Sequence, residues 1–224
     1  MAIRRKAKRT EQSKLDATPP WEPKRIVENP KTDGPYDVAD APEDGVERVD
    51  LGALLIPLDS GLEVRLEVAE GGQITTVSLV DESGQMQLGL FAAPRTEGIW
   101  DEVRTEIKAS ISQQGGTVQD ADGEFGLELT GKLPGQGGLT PVRFVGVDGP
   151  RWFLRAMLVG TPAADDNAAN RFLGAFRKTV VVRGNEALPV RDAVTLTLPK
   201  QVASELEQAQ ESDGADGLDP ETGP

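Results

Sequence analysis

Residues 63–90 read EVRLEVAEGGQITTVSLVDESGQMQLGL, and the period of their apolar side chains decides the fold. Val64, Leu66 and Val68 alternate with Glu63, Arg65 and Glu67. An extended chain therefore presents one dry face and one charged face. Gly71-Gly72 supplies a turn and Ile74 to Val80 a hairpin partner. Asp81 to Gly84 turns the chain again, and Met86, Leu88 and Leu90 recur at spacing two. Two hairpins in succession make an antiparallel meander and exclude a helical bundle.

Working outward, Leu51, Ala53, Leu54, Leu55 and Ile56 form an apolar strand that closes on Pro57, and Asp59-Ser60-Gly61 is a turn. Downstream the period changes to 3.6. Trp100, Val103, Ile107 and Ile111 share one helical face, with Asp101 and Glu102 in the first turn and Gly115-Gly116 just past the end. Strands resume over 117–119, 125–133, 142–147 and 152–158. Asp148-Gly149 marks a turn there, and Pro150 argues against a simple two-residue hairpin. A second helix starts with Thr161 as N-cap and Pro162 at the first helical position. Ala169, Phe172, Leu173 and Phe176 form its apolar stripe, and Arg177 and Lys178 close it. Short strands at Val180 to Val182 and Val194 to Leu198 end the pattern.

The expectation is an α+β fold: a twisted antiparallel sheet of seven or more strands with two amphipathic helices packed on it. Trp100, Ile107, Phe172 and Phe176 should be buried against Leu66, Leu88, Leu129 and Leu154. The 224 residues allow one sizeable core. The division is 1–47 as a largely disordered N-terminal extension, basic and then mixed polar, 48–199 as a single domain, and 200–224 as an acidic disordered tail.

Composition limits the chemistry. The chain has no His and no Cys, which removes the usual general base near neutral pH, thiolate nucleophiles, and the commonest metal ligands. No metal site and no cofactor motif is read. No glycine cluster has the strand, turn and helix context of a phosphate loop, and the adjacent Asp101 and Glu102 point in different directions on a helix. Apolar runs are far shorter than the roughly 20 residues a membrane-spanning helix needs, and Thr10, Glu11, Gln12 and Ser13 stand where a signal peptide would be apolar. The expected location is cytoplasmic, consistent with the absence of cysteine.

Charge is polarised along the chain. Net charge is −13, and residues 42–199 carry 23 acidic against 14 basic side chains, a net of −9. Such a domain repels polyanions, so strong nucleic-acid binding is not expected. Arg4, Arg5, Lys6, Lys8 and Arg9 could still make tail contacts with nucleic acid, an anionic membrane or the acidic end of the chain. Within the domain, Arg151 and Arg155 fall four apart in one strand, and Arg143 lies in the strand before it. Three guanidiniums on one wet sheet face could grip a carboxylate or phosphate. Pairing with local carboxylates is the plainer reading.

The stretch Pro141-Val142-Arg143-Phe144-Val145-Gly146-Val147-Asp148-Gly149-Pro150-Arg151-Trp152-Phe153-Leu154-Arg155 carries a resemblance to a known family. Ile99 to Val103, Leu51 to Pro57 and Val180 to Gly184 carry it too. Over about residues 34–199 the chain resembles an actinobacterial family of uncharacterised proteins, domain of unknown function 3710. That resemblance implies lineage and a cytosolic setting, and brings no catalytic residue with it. The order of elements is also similar to the plan of Mog1-like and PsbP-like proteins, which implies binding rather than turnover. The leading functional expectation is a non-enzymatic domain that binds a protein partner. The alternatives are an enzyme or small-ligand domain for an anionic ligand at Arg143, Arg151 and Arg155, and weak nucleic-acid or membrane contact through the basic start.

Overall fold

The structure is a computed structural model that describes residues 34–69, 73–135 and 137–199. In chain order its elements are β1 (Tyr36–Asp37), β2 (Arg48–Asp50), β3 (Leu54–Pro57), β4 (Glu63–Val68), β5 (Ile74–Asp81), β6 (Gly84–Ala92) and α1 (Trp100–Gln113). They continue as β7 (Thr117–Gly123), β8 (Gly126–Gly135), β9 (Gly138–Gly149), β10 (Trp152–Gly160), α2 (Asp166–Lys178) and β11 (Val180–Val181). The alternating segments pair as one seven-stranded sheet in the order β4-β5-β6-β10-β9-β8-β7, antiparallel throughout. The α+β expectation holds, with both helices packed on this sheet.

The helices take opposite faces. On one face, Phe172, Leu173 and Phe176 of α2 pack with Leu88, Leu90, Trp152, Leu154 and Leu158. Phe172 and Phe176 are fully buried, which contributes about 1.5–3 kcal/mol each. On the other face Trp100 and Ile111 of α1 meet Leu129, Phe144 and Phe153, with Ile107 partly buried beside them. The aromatic and aliphatic residues expected in one core are thus divided between two.

A second sheet, in the order β1-β11-β3-β2, joins α2 on its face. β1 runs parallel to β11, pairing Tyr36 with Val180. The domain therefore starts upstream of the expected boundary at 48. The physical reason is visible at Trp152: its ring is fully buried, and its indole N–H donates to the Asp37 carboxylate at 2.9 Å. A buried donor needs such an acceptor, and the acceptor lies in the assigned extension. Residues 1–33 and 200–224, read as disordered, and the Gly71-Gly72 turn lie outside the described residues.

Helix starts also depart from expectation. Thr161 and Pro162 belong to a single 3-10 turn, Thr161–Ala163. The N-cap of α2 is Asp165, whose carboxylate accepts from Asn167 N at 2.7 Å and Ala168 N at 3.2 Å. α1 has no side-chain cap of its own. Asp148, at the end of β9, fills that role from a distance, accepting from Ile99 N at 2.8 Å and Trp100 N at 3.2 Å. Gly98 leaves room for it, since a Cβ there would lie 2.5 Å from the carboxylate.

Candidate functional site

The β9–β10 hairpin positions the three arginines. Gly149 pairs directly with Trp152, so Pro150 and Arg151 form a two-residue turn. Proline sets φ near −65° at the first position, and Arg151 takes the left-handed region with φ 67°, as the second position of a type II turn requires. The tight turn that Pro150 argued against is present, and Arg151 sits in it rather than in the strand. Arg151 is spent on the backbone, donating to Glu186 O at 3.1 Å and Gly184 O at 3.5 Å.

Register separates the other two. Arg143 pairs with Leu158 and therefore faces α2, while Arg155 pairs with Gly146 and Gly89 and faces α1. The expected convergence of Arg143, Arg151 and Arg155 on one wet face does not occur. Arg143 is buried, with Nε donating to Glu128 at 2.6 Å and Nη1 donating to Asp166 at 2.8 Å. Burial works against its charge, but the two carboxylates more than offset this, and the pKa is held above the ordinary arginine value. Glu128 is buried too, and its Oε1 has no hydrogen-bond partner among the described residues. This is a structural ion pair, closed to a ligand by its own partners.

Arg155 is different. Its guanidinium stacks over Phe91, 5.3 Å from the ring centroid, and among the described residues no carboxylate or carbonyl accepts from it. Burial draws its pKa below the ordinary value. Phe91 in turn stacks with Phe153 at 6.1 Å, and Phe153 with Trp100 at 5.7 Å. A ladder of three rings thus runs from the start of α1 to a lone cation. Gly89 makes the geometry possible, because a Cβ at that position would lie 2.9 Å from the Phe91 ring.

The ladder ends at a groove created by an irregularity of the sheet. β5 pairs with β6 only from Val77↔Leu88 to Asp81↔Gly84. Beyond Val77 the strands part, and residues 192–196 enter the opening, bridging to Phe91 through Ala193 and to Ile74 through Leu196. Ala92 N donates to Asp192 O and Val194 N to Leu90 O, so the β6 edge is satisfied there. The remaining space is about 260 Å³, lined by residues that include Thr76, Gln87, Phe91, Arg155, Met157 and Val194. α1 packs against β7, β8 and β9, and the same sheet face is open towards β4, where Glu63, Arg65 and Glu67 are exposed.

Sequence reasoning missed Phe91 and the role of residues 192–196. Phe91 is out of phase with Met86, Leu88 and Leu90, and an aromatic on the face otherwise polar was the available signal. A second groove of about 370 Å³ lies beside Thr117, Gln119, Thr130, Lys132 and Pro141, with no buried unpaired charge among those residues. Among the described residues no cluster of three or more Asp or Glu is placed to hold a metal, and no helix is long and apolar enough to cross a membrane. Arg4, Arg5, Lys6, Lys8 and Arg9 lie outside the described residues.

No match is found among curated proteins. Residues 34–205 match the family described as "Protein of unknown function (DUF3710)". That span covers both sheets, both helices and the Arg155 groove, and on it the chain belongs to the DUF3710 family.

Proposed function

We propose that the chain is a non-enzymatic, cytoplasmic protein-interaction domain whose partner docks on the open part of the α1-side sheet face, centred on Arg155. The observation that carries the reading is the unpaired state of Arg155 among the described residues: a guanidinium with five N–H donors, partly stripped of water, stacked on Phe91 and given no oxygen acceptor there. Holding such a group against an aromatic ring costs solvation, and a partner's carboxylate or carbonyl would recover it. Arginine and aromatic residues are also the side chains that dominate interface energetics.

The groove, of about 260 Å³, has room for a side chain of a partner. The actinobacterial setting and the kinship of plan with Mog1-like and PsbP-like binding proteins belong to this same proposal. The net −9 of residues 42–199 disfavours nucleic acid as the partner.

The test is quantitative capture from the native cell with the full chain, its Arg155→Glu variant and a Thr117→Arg control on the other groove. A protein retained by the first and third but lost at least tenfold by the second supports the reading. Equal capture by all three, or none by any, ends it.

A further inference from the structure

Among the described residues β4 pairs with β5 alone, so one side of its backbone is open. Which residues turn that way follows from the strands behind it. Leu90 O accepts from Val194 N and Ala92 N donates to Asp192 O, so the even-numbered residues of β6 face β5 rather than β10. Leu88 therefore bonds to Val77 opposite it, and Val77 turns its backbone groups away from Leu66. Leu66, and with it Val64 and Val68, points its N–H and C=O out past the edge. Ala69 N donating to Gln73 O gives the same phase from the far end of the strand, because the bulge there inserts Thr75 on β5 and leaves β4 regular.

The side chains are self-complementary. Val64 and Leu66 pack with the α2-side core, and Val68 is 43% exposed. Glu63, Arg65 and Glu67 stand on the opposite face, the one that carries Arg155. Arg65 holds Glu63 through Nε and Nη2, each at 2.9 Å, which leaves Nη1 without an acceptor among the described residues. The Glu67 carboxylate has no cation among them. The other long edge, β7, has Asp120 and Asp122 and no basic residue, so a copy facing it would meet only like charge.

We infer that two copies of the chain pair antiparallel through β4, centred on Leu66, and continue the main sheet across a two-fold axis. Outward residues must face outward residues, and the charges then select the register. A centre at Arg65 would set that residue against itself and Glu63 against Glu67. A centre at Glu63 or Glu67 would bring two carboxylates together, and one at Val64 or Val68 would overlap no more than three residues of the strand. Centred on Leu66, the copies meet over residues 64–68. Leu66 faces Leu66, Val64 faces Val68, and Arg65 faces Glu67 in the non-hydrogen-bonded pair, where side chains lie closest. The net charge of −13 per chain opposes this only at long range, since at 0.15 M salt repulsion fades beyond about 8 Å. The two-fold consumes both β4 edges, so growth stops at the dimer. Both Arg155 grooves then open on the same side of one sheet. Their joint use by a partner rests on the proposed docking function; the strand pairing does not.

Sedimentation velocity of the full chain at about 100 µM, where micromolar affinity gives mostly dimer, should return twice the 23.9 kDa of one chain. Arg65→Glu sets carboxylate against carboxylate and Glu67→Arg sets cation against cation, so each variant alone should dimerise at least tenfold more weakly. An equimolar mixture of the two should recover the dimer, because every facing pair of charges is then opposite in sign; recovery also shows that both variants fold. The chain has no cysteine, so single cysteines under mild oxidation read the register. Leu66→Cys should cross-link to itself, its facing Cα atoms being about 5.5 Å apart and within disulfide reach. Val64→Cys, offset from its own copy by roughly 13 Å, should not. A monomeric parent overturns the inference, as do single variants that dimerise like the parent, a mixture that stays monomeric, or Val64→Cys linking as readily as Leu66→Cys. Arg155→Glu should leave the dimer intact. Partner capture that survives Arg155→Glu beside an intact dimer sinks the docking reading alone; capture lost on Arg155→Glu from a monomeric parent sinks the dimer alone.

Discussion

Replacing Arg143 with Met tests whether this arginine holds the fold together or serves a ligand. Glu128 is 1% exposed, accepts from Arg143 at 2.6 Å through Oε2, and has no partner on Oε1 among the described residues. Removing the guanidinium leaves a carboxylate buried with nothing to offset its desolvation, a loss of about 3–5 kcal/mol. For a domain of this size each kcal/mol shifts the melting temperature by about 2–4 °C, so Arg143→Met should melt about 6–20 °C lower. Glu128→Leu should cost less, about 1.5–3 kcal/mol for a lost charge-assisted hydrogen bond, because Arg143 keeps the exposed Asp166. The double variant, which removes both buried charges, should recover to within about 1–2 kcal/mol of the parent. Urea unfolding of the four proteins at one pH gives the cycle, provided the m-values agree. A cost below about 1 kcal/mol for Arg143→Met, or a double variant no better than that single one, would refute the ion-pair account and return Arg143 to the list of ligand-binding candidates.

Other outcomes follow from the caps and the packing. Asp148→Ala should destabilise by about 0.5–2 kcal/mol through loss of the remote cap of α1, seen as a lower urea midpoint. Burial, the nearby Asp101 charge adding to it, pushes the Asp148 carboxyl above its ordinary pKa in spite of the hydrogen bonds from Ile99 and Trp100. The folded state then binds that proton more tightly than the unfolded one, so this group's contribution is greatest below about pH 4 and falls as pH rises through the folded pKa. Asp148→Asn, which cannot ionise, should accordingly gain on the parent as pH rises from about 4 through the raised folded pKa in matched unfolding curves; a difference that stays constant with pH would contradict it. Gly146→Ala would place a Cβ 2.4 Å from Trp100 and 2.8 Å from Phe153, and should cost about 1–3 kcal/mol with a changed near-ultraviolet circular dichroism signal. Asp165→Ala removes the α2 cap and should cost about 0.5–2 kcal/mol, read by the same denaturation.

The main sheet and both helices could be read from period alone, because each of those segments is long enough to repeat its pattern several times. Two strands of the small sheet, β3 and β11, lie in segments the sequence marks as extended, but β1 and β11 are two residues each and repeat nothing, so their pairing into a second sheet had no signal. The arginines failed for a geometric reason. Arg143 and Arg155 belong to different strands, and whether they share a face depends on the number of residues in the turn between them. With the two-residue turn at Pro150-Arg151, Arg143 falls opposite Leu158; a shift of one residue would invert the relation. The α1 cap was hidden for another reason, since Asp148 lies 49 positions from Ile99 and no local capping pattern includes it.

The entry of residues 192–196 between β5 and β6 has a consequence for the order in which the domain is completed. β6 ends at Ala92, while the segment that satisfies its edge is 100 residues further on. At about 5–20 residues per second of synthesis, that edge waits about 5–20 s on the ribosome with Leu90 and Ala92 backbone groups unpaired. During this interval the slot accepts any chain presenting the same segment, including a neighbouring copy on the same message, which is the geometry of a domain swap. Unswapped product then depends on how quickly each molecule closes its own slot, and crowding of nascent chains becomes a variable that sets its yield.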